Sequence, residues 1–186
     1  MRKYALMFFV ITVVMVACST SSESEAVVNV AAEEKKEVIA QLEATVEADS
    51  MRMDFNARKQ LLSRYAEFSN EYREEELTPE YLFRAAKLAV EMGMSKRAIE
   101  YLTNLHDGFP KYERKVEAAF LVGFIYENML NDRPLAQKAY EKVVELYPES
   151  PWAQDAKASI NLLYLTDEQK IEKFMQQNQE ENQNPS

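Results

Sequence analysis

The feature that most constrains the fold is a spacing pattern that occurs in two neighbouring segments of the chain. A small residue, two large apolar residues and a proline are separated by 4, 3 and 5 positions in each segment: Ala98, Leu102, Leu105 and Pro110, then Ala136, Tyr140, Val143 and Pro148. Steps of 4 and 3 follow one face of an α-helix. Proline ends such a helix because it lacks the amide hydrogen that the next turn requires. The copies lie 38 residues apart, which indicates an internal helical repeat.

A second pair of small residues indicates what each repeat contains. Ala86 and Gly123 lie 37 residues apart, each near the middle of an apolar, helix-periodic segment upstream of one copy. Two antiparallel helices need small residues where their backbones approach most closely. We therefore expect Ala86 to lie opposite Ala98, and Gly123 opposite Ala136, in two helical hairpins. Glycine is scarce and Ala, Glu, Lys and Leu dominate the middle of the chain, which favours an all-α fold.

These landmarks resemble the tetratricopeptide repeat, over residues 79–112 and 116–149. The positions that match the family's pattern are Ala86, Ala98 and Pro110 in the first repeat, and Gly123, Tyr126, Ala136, Tyr140 and Pro148 in the second. The resemblance implies a short, right-handed superhelical array of helices with flanking and capping helices.

The segments on either side are predicted to complete one helical domain, residues 33–175. Residues 51–73 form a degenerate half repeat, because Leu61, Tyr65, Phe68 and Arg73 show the same 4, 3, 5 spacing. Residues 33–47 have the pattern of an amphipathic helix. Residues 151–164 form a capping helix after Ser150, and a short last helix follows a capping box of Thr166 with Gln169. We expect residues 176–186 to be a disordered tail.

The N-terminal segment has the pattern of a secretion signal. Arg2 and Lys3 precede an apolar run from Ala5 to Ala17. As a helix this run is about 20 Å long, short of the roughly 30 Å of a bilayer core. Residues 1–17 are therefore predicted to be a signal peptide, not a membrane-spanning helix.

The only cysteine follows this segment directly. Residues 15–18, MVAC, resemble the lipobox of bacterial lipoproteins, in which the cysteine becomes the lipidated N-terminus. The resemblance implies that Cys18 is the site of lipid attachment, and Ser19 after it suggests sorting to the outer membrane, with the periplasmic face favoured. The alternative is an ordinary secretory peptide with a chance cysteine at its end. Residues 18–32, rich in Ser, Glu and Ala, are expected to be a disordered tether.

Composition excludes several classes of function. Removal of residues 1–17 leaves 20 basic and 31 acidic residues, a net charge of −11 that repels nucleic acid. One cysteine and one histidine, His106, are too few for a structural zinc site. No phosphate-binding loop, nucleophile elbow or HExxH motif is present. We expect no enzyme activity, cofactor or metal, and we expect His106 to cap a helix end or face solvent.

The resemblance places the candidate partner-binding face on the first helix of each repeat, which lines the concave side of the array. Its residues are Glu80, Phe83, Lys87 and Val90 in the first repeat, and Glu117, Phe120, Phe124 and Glu127 in the second. Phe83 and Phe120 occupy equivalent positions 37 residues apart and are candidate anchors for a bound peptide. The alternative is that both phenylalanines pack in the core.

The architecture of residues 51–163 resembles that of lipid-anchored repeat proteins of outer-membrane barrel assembly and of the periplasmic coordinator of the Tol–Pal system. This implies an envelope lipoprotein that acts as a scaffold for protein partners. A second hypothesis is a glycan- or peptidoglycan-binding subunit that uses Phe124, Tyr126, Glu127 and Asn128. A third is self-association through the helix at residues 33–47. Fold-level resemblance alone does not choose a partner.

Overall fold

A computed structural model describes residues 20–48 and 54–183, with side chains from 30–48 and 54–176. These residues form eight α-helices and no strand. The helices are α1 (Thr20–Ala48), α2 (Phe55–Glu71), α3 (Thr78–Glu91), α4 (Ser95–Gly108), α5 (Lys115–Asn128), α6 (Arg133–Leu146), α7 (Pro151–Leu162) and α8 (Asp167–Gln183). The prediction of an all-α repeat array is confirmed.

The helices are arranged as hairpins that pack in chain order. Helices α1 and α2, α3 and α4, and α5 and α6 pair as hairpins, and the second helix of each hairpin packs on the first helix of the next unit. Helix α7 packs on α6 and also contacts α5, so it covers the end of the last hairpin. The core therefore runs continuously along the array, as in other solenoids.

The predicted 4, 3 spacing marks the buried face of the second helix in all three hairpins. The residues at these positions are all at most 3% exposed: Leu61, Tyr65 and Phe68 in α2, Ala98, Leu102 and Leu105 in α4, and Ala136, Tyr140 and Val143 in α6. The fourth position, occupied by Arg73, Pro110 or Pro148, is exposed after each helix. This agreement follows from helix geometry, since residues 3 and 4 apart share one face.

The N-terminal helix differs from the expectation. Helix α1 begins at Thr20, so residues 20–32 are helical where we expected a disordered tether. This segment contains three alanines and two glutamates, and Ala and Glu are favourable helix formers. Ala32 and Ile39 are buried, which attaches the helix to the array.

Helix α1 pairs with α2 and is the first helix of this hairpin, for which the sequence showed only the second half of a repeat. The Glu43 carboxylate accepts a hydrogen bond from the Tyr65 hydroxyl of α2 at 2.5 Å and one from Arg84 Nη1 of α3 at 2.8 Å. Lys36 forms an ion pair with Glu75 at 2.7 Å, in the loop between α2 and α3. These contacts dock α1 on two helices, so the array contains three hairpins.

The C-terminal end also differs from the expectation. Helix α8 continues to Gln183, through most of residues 176–186 that we expected to be disordered. Its start agrees with the predicted capping box, because the Thr166 amide donates to Gln169 Oε1 and the Gln169 amide donates to Thr166 Oγ1. Gln, Glu and Lys have adequate helix propensity, so the segment extends without a core to pack on.

Candidate partner-binding groove

Helices α3 and α5, the first helices of the two repeats, border a mainly apolar groove of about 190 Å³. We call it the α3–α5 groove. It is lined by Ala86, Lys87, Val90 and Glu91 from α3, Leu102 from α4, and Leu121, Phe124 and Ile125 from α5. Leu102 and Ile125 are each 1% exposed, so the groove reaches down to the core.

Three residues of the predicted partner-binding face meet in this groove. Lys87 and Val90 lie on its α3 wall, and Phe124 lies on its α5 wall. Phe124 is 43% exposed, and Val90 is half-buried. The structure thus joins residues 34 positions apart in sequence into one apolar surface.

Phe83 does not belong to this surface. It is 1% exposed and packs in the core shared by α2, α3 and α4. The Arg114 guanidinium lies over its ring at 3.7 Å from the centroid, which closes the ring from solvent. The proposal that Phe83 presents an anchor to a partner is therefore wrong, and the alternative of core packing holds.

Phe120 does not belong to the partner-binding face either. Its ring is half-buried and lies between the Tyr140 ring at 5.3 Å and the Trp152 ring at 5.2 Å. Trp152 belongs to α7, so the capping helix covers the position that the repeat pattern leaves open. The equivalence of Phe83 and Phe120 in sequence reflects packing between helices rather than contact with a ligand.

The predicted acidic residues of the face make internal contacts. Glu117 accepts two hydrogen bonds from the Arg114 guanidinium, at 2.8 and 2.9 Å. Glu80 accepts from the Tyr112 hydroxyl at 2.5 Å and from Arg84 Nε at 2.8 Å. Burial alone raises the pKa of Glu80, but these two donors outweigh it and hold the pKa below its usual value.

Glu127 is tied to a repeat landmark. Its carboxylate accepts a hydrogen bond from the Tyr140 hydroxyl at 2.8 Å, and Tyr140 is fully buried. Burial, and then this bond, raises the pKa of Tyr140, so the phenol stays neutral. The bond directs the Glu127 carboxylate towards α6.

Sequence reasoning missed two features of the groove. Leu121 lines the α5 wall, although the family pattern did not single it out. Glu91 lines the α3 wall and pairs with Arg58 of α2 at 2.6 Å, which neutralises it. Among the ion pairs found in residues 30–48 and 54–176, none includes Lys87. Lys87 therefore gives the α3 wall a positive charge.

The repeat landmarks lie where hairpin packing requires them. Five of these landmarks are buried, namely Ala86, Ala98, Gly123, Ala136 and Tyr140. Tyr126 packs against the part of the core that α6 and α7 form. A Cβ atom on Gly123 would lie 2.6 Å from two ring carbons of Tyr140. Only glycine fits at this contact, because real Cβ atoms do not approach so closely.

Two of the four residues considered for glycan binding make contacts within the protein. Glu127 accepts a hydrogen bond from Tyr140, and Tyr126 packs on the core. Phe124 and Asn128 are exposed, and the Asn128 side-chain amide donates to the Phe124 carbonyl at 3.0 Å, one turn back in α5. The geometry therefore leaves two of the four side chains open to a sugar.

Three further predictions concern His106, metal binding and the N-terminal segment. His106 lies in the last turn of α4, as expected, but it does not face solvent: its side chain is 12% exposed and its Nε2 lies 2.8 Å from the Tyr147 hydroxyl. This contact links the ends of α4 and α6.

Neither a group of three metal-ligating side chains nor a helix able to cross a bilayer is found within residues 20–48 and 54–183. Cys18 and residues 1–17 lie outside the described residues.

Comparison with known families decides the nature of the repeats. A family model described as "Tetratricopeptide repeat" matches residues 80–112 and 117–150. These segments are tetratricopeptide-like repeats. They contain α3 with α4 and α5 with α6, the two hairpins that flank the α3–α5 groove. No curated protein sequence matches the chain. Repeats of this family typically act as non-catalytic scaffolds for protein contacts, and helical solenoids use extended surfaces for binding.

Proposed function

We propose that the protein is a lipid-anchored scaffold of the bacterial cell envelope that binds a segment of a protein partner in the α3–α5 groove. The observation that carries the proposal is the exposed Phe124, which faces Val90 across an apolar groove between two tetratricopeptide-like repeats. An apolar groove between helices suits an extended or helical peptide that contributes one large apolar side chain.

The chemistry of the groove supports a protein segment over a small polar ligand. Its floor of Leu102 and Ile125 is apolar, and its polar groups lie at the rim, on Lys87 and Glu91. Aromatic anchors that enter apolar pockets dominate the energy of many protein interfaces, and charged rims contribute orientation and specificity. The groove therefore offers one apolar anchor site with a charged border.

We expect Phe124→Ala to weaken partner binding about thirtyfold or more, because truncation of a hot-spot aromatic costs about 2 kcal/mol or more. The melting temperature should change little, since Phe124 is exposed. A photo-reactive phenylalanine analogue at position 124 first captures the partner in cells, and the affinity of the purified partner is then measured for each variant. Leu146→Ala is the matched control, because Leu146 is 49% exposed on α6, away from the groove. Equal affinities for the two variants would contradict the proposal.

The membrane anchor is proposed at Cys18, with the outer membrane and its periplasmic face as the location. Helix α1 begins at Thr20, two residues after Cys18, and Ala32 is the first buried residue among the side chains described from residue 30 onward. A helix rises about 1.5 Å per residue, so Ala32 lies about 18 Å along the axis from Thr20. In the proposed state a short helical stalk holds the array near the membrane surface and outside the bilayer.

We expect Cys18→Ser to abolish lipid attachment, since serine offers no thiol for acylation. The variant should accumulate as an uncleaved precursor or as a released soluble protein. Metabolic labelling with a radioactive fatty acid, followed by separation of membrane and soluble fractions, measures both effects. The wild-type chain is the control. Equal labelling of wild-type and variant chains would show that Cys18 is not the anchor.

A further inference from the structure

Helix α8 carries an apolar face that stays exposed among the residues the structure describes. Ile171, Phe174 and Met175 are 57, 64 and 59% exposed. They lie at positions i, i+3 and i+4, so they share one face of the helix. Helix α8 has no extensive packing with any other helix of the described chain, and none of its residues lines the α3–α5 groove of its own chain. This spacing is the anchor pattern of a helix that binds in an apolar groove.

One edge of this apolar face is acidic. At 100° per residue, the exposed Glu168 and Glu172 lie beside Met175, on this edge. Lys170 lies beside Phe174 on the other edge, where Asp167, one turn before Ile171, offsets its charge.

The α3 wall of the α3–α5 groove is charged in the complementary sense. Lys87, which has no ion-pair partner among the described side chains, marks the α3 wall. Glu91 on the same wall is neutralised by Arg58. Among the residues that line the groove, Lys87 is thus the charge without an ion-pair partner, and an acidic helix edge complements it.

We propose that α8 of one copy of the chain binds in the α3–α5 groove of a second copy. Ile171, Phe174 and Met175 contact the apolar groove, and the acidic edge faces Lys87. Two copies that exchange α8 reciprocally form a closed, two-fold symmetric dimer. This inference rests on the proposed function of the groove as a protein-binding site. It adds that the partner segment competes with α8, so self-association falls as partner binding rises.

Disulfide cross-linking between two differently tagged, full-length chains in the same cells tests the inference. One chain carries Phe174→Cys and the other carries Val90→Cys, at the exposed anchor and the groove wall. We expect an oxidised product that contains both tags. Wild-type chains control for Cys18. Lys138→Cys in place of Val90→Cys is the second control, because Lys138 is exposed on α6 outside the groove.

Charge reversal distinguishes specific binding of α8 from random collision between two chains. Lys87→Glu should lower the yield of the mixed product about tenfold, because it places like charges opposite the acidic edge of α8. Glu172→Lys on the other chain should restore the yield. An unchanged yield with Lys87→Glu overturns the inference.

The other outcomes of the cross-linking each decide the question. The inference is overturned by an absent product, by an equal yield with Lys138→Cys, or by equal cross-linking between two Phe174→Cys chains. It is also overturned if both cysteines placed in one chain join within that chain. Partner capture at position 124 is scored in the same cells. Capture without cross-linking overturns only this inference, and cross-linking without capture overturns only the proposed function.

Discussion

Replacement of Gly123 by alanine is expected to lower the free energy of unfolding by about 1–3 kcal/mol, through overpacking between α5 and α6. The new Cβ atom would lie 2.6 Å from Cδ1 and Cε1 of Tyr140. The Tyr140 ring has little freedom to move, because it is fully buried, packs on Phe120 and donates its hydroxyl to Glu127. Gly123→Leu should cost more than Gly123→Ala.

The preceding repeat provides the matched comparison for this contact. Ala86 and Leu102 occupy the positions of Gly123 and Tyr140, and both are buried without conflict. A smaller side chain at position 140 should therefore accommodate a Cβ at position 123. In the double variant Gly123→Ala with Tyr140→Leu, we expect a destabilisation smaller than the sum of the two single effects, by about 0.5–3 kcal/mol.

Chemical denaturation of the four members of this cycle measures the coupling. Lys142→Gln, a change of an exposed side chain on α6, should stay within about 0.5 kcal/mol of the wild type. Strictly additive effects of Gly123→Ala and Tyr140→Leu, or a midpoint for Gly123→Ala equal to that of Lys142→Gln, would contradict the hairpin packing described above.

Phe83→Ala is expected to destabilise the fold by about 3–5 kcal/mol, the usual cost of truncating a buried phenylalanine. Phe83 is 1% exposed and lies beneath the Arg114 guanidinium. In a domain of this size the loss corresponds to a fall in melting temperature of roughly 10 °C or more. Phe83→Leu should cost less than Phe83→Ala, because it removes fewer buried atoms and leaves a smaller cavity.

Measurement of the melting temperature and of partner affinity on the same samples separates core from groove. Phe83→Ala should lower the melting temperature strongly, and partner binding should return at temperatures where the variant is folded. Phe124→Ala should show the reverse pattern, a stable fold with weakened binding. A normal melting temperature for Phe83→Ala combined with lost binding would return Phe83 to the partner-binding face.

The self-association proposed for α8 bears on how the scaffold is regulated. A groove that is covered by a second copy in the absence of a partner is protected from non-specific apolar contact. The exposed anchors Ile171, Phe174 and Met175 would be covered at the same time, which removes a large apolar patch from the surface. Partner binding would then release α8 and shift the protein from dimer to monomer.

The repeat architecture could be predicted from sequence because it depends on local periodicity. The 4, 3 spacing at Ala98, Leu102 and Leu105 marks one face of one helix, and any helix with such a face must bury it. Helix starts were equally local, since Ser150 accepts a hydrogen bond from the Ala153 amide as its position before Pro151 indicates. These features depend on residues within a few positions of one another.

The extent of the terminal helices was not predicted, because it depends on weak preferences that do not produce a clear pattern. Residues 20–32 and 176–183 contain few apolar residues at helical spacing, and low hydrophobicity predicted disorder for both. Helix α1 is held in place by Ile39 and by the contacts of Glu43 with Tyr65 and Arg84, whose partners lie 22 and 41 positions away. Such contacts become visible only when the chain is folded.

The sequence by itself determined the repeat, its hairpins and the small residues at their contacts, whereas the tertiary structure decided which side chains remain open to a partner. Phe83, Phe120 and Phe124 all lie on the predicted face of a first helix, yet only Phe124 is exposed. The difference comes from Arg114 and Trp152, which cover the other two rings from neighbouring segments. Helical periodicity specifies the direction in which a side chain points, but exposure depends on what packs against it from elsewhere in the chain.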